Sequence, residues 1–71
     1  MNVDTATRVR DLGLRAIETL SEALEVASKD SDSATVERIK KGVGISIGTI
    51  DERLLSVIYE LHPLLDHLKN Q

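Results

Sequence analysis

From Val43 to Leu68 the apolar residues Val43, Ile47, Ile50, Leu54, Val57, Leu61, Leu64 and Leu68 follow one another in steps of 4, 3, 4, 3, 4, 3 and 4. That alternation returns each side chain to one face of an α-helix, a periodicity that a strand, with its period of 2, does not have. Val36 extends the face toward the N-terminus, and Ile39, Leu55, Ile58 and Leu65 make a second stripe beside it. The combined surface is wider than one partner helix covers, so the pattern implies more than one neighbour. The register passes through Gly44 and Gly48 and continues beyond Pro63. Proline has no N–H and biases the residue before it away from helical geometry, so a kink or break is expected at 61–63. A short terminal helix follows, and the last residues, LKNQ, are expected to fray.

A second amphipathic helix is expected over residues 5 to 28. Val9, Gly13, Ala16, Leu20, Ala23 and Ala27 are spaced 4, 3, 4, 3 and 4, and Ile17 and Leu24 widen that stripe. Asp4 is the expected N-cap, and Asp11 to Arg15 and Glu25 to Lys29 stand in the favourable i,i+4 order. The opposite face, with Glu18 and Glu22, is read as solvated helix surface. SKDSDS, residues 28 to 33, has no apolar residue and offers Ser31, Asp32 and Ser33 as caps for a following helix. A connector this short joins antiparallel neighbours, so the chain doubles back here.

The segment GVGISIGTID, residues 42 to 51, admits three readings. As helix, Gly44-x-x-x-Gly48 sets both glycines on one face where another backbone comes close, and three internal glycines together cost about 3 kcal/mol against alanine. As a break, RIKKG ends one helix on basic residues and glycine, and TIDE starts another with a capping box. As a strand, Val43, Ile45 and Ile47 share one face but find no partner strand within the chain.

Residues 35 to 55, TVERIKKGVGISIGTIDERLL, resemble the helix-turn-helix element of repressor-type DNA-binding proteins. Ile39 and Val43 are apolar in the first helix, Gly44 takes the turn, Ile45 and Ser46 follow, and Thr49 and Ile50 lie in the second helix. The resemblance implies a second helix lying in the major groove, with Lys40, Lys41, Ser46, Thr49 and Arg53 as DNA contacts. Lys40 and Arg53 depart from the small and apolar residues that the motif carries there, and Asp51 and Glu52 would repel phosphate. The unbroken apolar register rests on more residues than the cap signals, so continuity is the leading reading and DNA binding the alternative.

Composition narrows the chemistry. The chain has 71 residues, no cysteine, one tyrosine and a net charge of −3. At this size a single core is marginal and oligomerisation commonly supplies missing stability. The lack of cysteine excludes disulfides and thiolate metal sites and is compatible with a reducing, cytoplasmic setting. MNVDTATRVR has no apolar stretch of the signal-peptide kind, and no run approaches the roughly 18 apolar residues of a membrane span. The acidic balance and the scarcity of aromatic residues disfavour nucleic acid as a partner.

No constellation suits catalysis or a metal. His62, Asp66 and His67 lie in HPLLDH, but the histidines are five apart, far around a helix from one another, with no matching third ligand. Ser33, Ser46 and Ser56 have no evident histidine and carboxylate arrangement, and the glycines lack the context of a phosphate loop.

The expectation is therefore an all-α, single domain over 1–71: an antiparallel helical hairpin with a short C-terminal helix, associating as a four-helix-bundle-like homodimer or higher assembly. Its expected function is that of a small non-enzymatic interaction or regulatory protein, without cofactor or metal and away from membranes. It would bind itself and an unidentified protein partner, with Gly44, Gly48, Ile47, Ile50, Leu54, Val57 and Leu61 as the contact residues.

Overall fold

A computed structural model describes the backbone of residues 1–70 and the side chains of residues 1–66. Helix α1 spans Val3–Asp30, starting two residues earlier and ending two later than the apolar spacing indicated. Asn2 is the N-cap in place of Asp4, its Oδ1 accepting from the Thr5 N–H at 2.8 Å. Asp4 then falls in the first turn, where its charge meets the positive end of the helix dipole.

Only Ser31 and Asp32 separate α1 from α2, Ser33–Thr49. Asp32 caps α2, accepting from the Thr35 N–H at 2.7 Å. The Thr35 backbone hydrogen bond, helped by the Thr35 hydroxyl, holds this carboxyl below its ordinary value of 3.8. A depressed carboxyl pKa contributes stability that is present above the unfolded-state value and lost as pH falls through the folded one. Acid titration of helix content should therefore show a component below about pH 4 that Asp32→Asn removes, since asparagine caps equally well without titrating. An unchanged acid limb in that variant would count against the cap.

Helix α2 runs without interruption through Gly42, Gly44 and Gly48, and no glycine among the described residues has a positive φ. Neither a turn nor a strand forms at Gly44. A π-helical turn, Ile50–Leu55, follows directly, in which the Ser56 N–H reaches back five residues to the Asp51 carbonyl. Helix α3, Ser56–Leu61, continues it, and the chain breaks where expected: His62 has φ −137° and ψ 78°. A 3₁₀ segment, Pro63–Asn70, takes the place of the expected terminal α-helix.

The π-turn splits the single apolar face expected along the arm. Val36, Ile39, Val43, Ile47 and Ile50 are half-buried, and the next inward residue is Leu55, a step of five. From there the second stripe takes over, with Leu55 2% and Ile58 1% exposed. The first stripe swings outward, leaving Leu54 40%, Val57 45% and Leu61 56% exposed, while Leu64, beyond the break at His62, is 86% exposed. The physical cause is the extra residue per turn: a wide turn advances the register by one position, about 100° around the axis. Leu68 lies outside the residues whose side chains are described.

On α1 the packed face also differs in detail. Ala6, Arg10 and Gly13 are buried and Ile17, Leu20, Leu24 and Ala27 half-buried, a 4, 3, 4, 3, 4, 3 series, whereas Ala16 and Ala23 are exposed. The core sits at the α3 end, where Ala6, Leu55 and Ile58 are the fully covered apolar side chains. Packing the larger side chains inward removes more apolar area from water than the alanine-rich alternative would.

The close approach between helices occurs at Gly13. A Cβ there would lie 3.0 Å from Leu55 Cδ2 and 3.3 Å from Leu54 Cδ2, while one at Gly42, Gly44 or Gly48 would meet nothing within 4 Å. Opposite outcomes are expected from one substitution. Gly44→Ala should stabilise the helix by about 0.8–1 kcal/mol. Gly13→Ala should lose about 1 kcal/mol net, because displacing the enclosed Leu55 outweighs the propensity gain. Urea melts of the two variants below the association range test the pair, and a stabilised Gly13→Ala would refute the contact.

Candidate functional site

The hairpin has two broad faces, and they differ in chemistry. One carries an apolar groove of about 450 Å³ between α1 and the arm. Arg10, Leu14 and Ile17 form its α1 wall, and Ile47, Gly48, Leu55 and Tyr59 the other, with Leu65 from the 3₁₀ segment and Asp51 completing it. Gly48 lowers that wall because it presents no side chain.

Arg10 is the polar residue set deepest, 8% exposed. Its Nε and Nη2 donate to Asp11 Oδ1 at 3.1 and 2.9 Å, and Nη1 donates to the Leu65 carbonyl at 3.4 Å. Asp11 thus pairs with its neighbour and not with Arg15, as the i,i+4 spacing had indicated. The guanidinium ties the segment after Pro63 to α1, with its charge matched before any ligand arrives. At the same end His62 Nε2 donates to the Met1 carbonyl at 3.1 Å, joining the residue that follows α3 to the segment before α1.

These contacts hold structure together. His62 is turned to the backbone of Met1, and the His67 side chain lies outside the described residues. Among the described residues no three His, Cys, Asp or Glu side chains are grouped to hold a metal. Thr49 and Ser56 hydroxyls return to the carbonyls of Ile45 and Glu52, four residues back, flanking the π-turn with bonds that loosen a helix locally.

The opposite face carries Leu54, Val57 and Leu61. The groove includes Leu14 and Tyr59, so the helix flanks that bear Leu12 and Ala16 on α1, and Leu54 and Leu61 on the arm, turn to the other side. All four of these apolar residues are exposed, as is Val57 between the two leucines.

The residues expected to make contacts are therefore divided by the structure. Ile47 and Gly48 line the groove, Leu54, Val57 and Leu61 lie on the far face, and Ile50 is half-buried between them. Gly44 is exposed with open space around it. Of the residues assigned to DNA contact, Ser46 and Thr49 fall at i and i+3 on one edge and Arg53 follows within the π-turn, whereas Lys40 and Lys41 lie beside Glu37 and Arg38. Arg10 escaped the sequence reading because charge removed it from the apolar stripe. Admitting it extends the 4, 3 series without a gap from Ala6 to Ala27.

No helix among the described residues is long and apolar enough to cross a membrane. No family model, curated protein or solved structure matches this chain.

Proposed function

We propose that this protein is a small non-enzymatic interaction or regulatory module that works by self-association and by binding a protein partner through its helix faces. The observation that carries this reading is the uncovered surface. The hairpin measures 45 × 22 × 16 Å with a radius of gyration of 14.6 Å, against roughly 11 Å for a compact chain of its length. It exposes 5456 Å², about 1,100 Å² more than the roughly 4,400 Å² of a compact monomer of its mass. An excess of that size is what one subunit contributes to a stable protein interface.

Two hairpins laid face to face make a four-helix bundle, in which the apolar residues left exposed gain the second neighbour that the width of the apolar surface calls for. A cytoplasmic setting belongs to the same proposal and rests on composition alone. Sedimentation at micromolar concentration, with circular dichroism alongside, is the test. A dimer or higher species that dissociates on dilution is expected, and a monomer across the whole range would overturn the proposal. A duplex-DNA gel shift at low ionic strength would move the assignment to nucleic acid.

A further inference from the structure

We infer that the π-turn exports Leu54, Val57 and Leu61 as an antiparallel seam for a second copy of this chain; the inference rests on the self-association just proposed and names its surface and geometry. Spaced 3 and 4, the three residues occupy a/d positions of a heptad, the arrangement that inserts knobs into the holes of a facing helix. They point outward only because the π-turn advances the register between Ile50 and Leu55. Leu12 and Ala16 of α1 flank them on the same broad face and extend the patch sideways.

Charge fixes the orientation. Arg53 and Glu60 are both exposed and stand seven residues apart, so they occupy the same edge of the seam. In a parallel pair that edge faces the opposite edge of the other copy, and the two residues never meet. In an antiparallel pair like edges face each other. A two-fold axis between residues 55 and 56 then places Leu54 on Val57 of the other copy. It brings Arg53 opposite Glu60 twice, once on each side of the axis, as an isologous interface requires. The whole chain's excess of about 1,100 Å² over a compact monomer is of the order of one subunit's share of a standard interface.

The absence of cysteine allows a clean test by single introduced thiols. Leu54→Cys and Val57→Cys chains, mixed and oxidised, should join chiefly as the mixed 54–57 disulfide, because those Cβ atoms face each other across the axis. Dominant 54–54 and 57–57 products would overturn the antiparallel geometry. Val57→Glu should raise the dimer dissociation constant at least ~10-fold by placing an unpaired charge in the seam. Because Val57 is 45% exposed in the single chain, α1 and α2 should survive that change. Arg53→Glu and Glu60→Arg should each weaken the dimer several-fold, and their combination should restore it. If the wild-type chain dimerises and Val57→Glu leaves the dimer intact, the seam is wrong while self-association stands. If the wild-type chain is a folded monomer at ~100 μM, both fall.

Discussion

Replacing Leu55 with alanine is expected to unfold the hairpin, whereas the same change at neighbouring Leu54 leaves it folded. Leu55 is 2% exposed and shares the core with Ala6 and Ile58. Removing its isobutyl group should cost about 2–5 kcal/mol in lost transfer energy and residual cavity. A chain of 71 residues has a core worth roughly 3–5 kcal/mol, so the loss consumes most of what holds it together. The site cannot collapse to heal the cavity, because Gly13 already sits against Leu55 and has no side chain to move in. Leu54, 40% exposed, removes less apolar area from water and should cost about 1 kcal/mol. Thermal melts followed by circular dichroism, at concentrations below the onset of association, would show the contrast. Equal losses at the two positions would mean that the register after the π-turn is not the one described.

The second large effect concerns deletion, a change that a helix normally tolerates badly. Removing one residue from a regular helix rotates everything beyond it by about 100°. Deleting Lys41 should therefore turn Val43, Ile47 and Ile50 away from α1 and abolish cooperative melting. Deleting Glu52 should do the reverse. The π-turn already holds one residue more than an α-helical turn, and its loss places Leu55 and Ile58 four and seven positions after Ile50, where a regular helix packs them. The variant should keep its fold, with helix content and melting temperature equal to or above those of the parent chain. A Glu52 deletion as damaging as the Lys41 deletion would show that the wide turn is not an inserted residue.

Much of the helical architecture was legible without coordinates. The two helices, the reversal near residue 31 and the break before Pro63 each follow from a local rule: apolar period, polar connector, missing N–H. The continuity of α2 through three glycines was the leading of three readings and no more, resting on the positions on either side that keep the 3.5-residue rhythm against the cap signals for a break. The candidate surface was only half legible. Leu54, Val57 and Leu61 stood among the expected contact residues and the structure leaves them exposed, but nothing along the chain distinguished them from Leu55 and Ile58 one position away, since both stripes have the same spacing. The groove escaped because Arg10, Asp51 and Tyr59 join it from separate elements, and their spacing in sequence carries no mark of that meeting.

What this sequence determined by itself was a pair of amphipathic helices and their order, because helix formation is governed by neighbours three and four residues apart. What tertiary structure decided was which of two equivalent stripes became core and which surface. That choice turns on a single wide turn at residues 50–55, and it is made by packing: α1 offers Gly13 as a slot for Leu55, and the helix takes one extra residue per turn to fill it. The stripe left outside is the free surface of this protein.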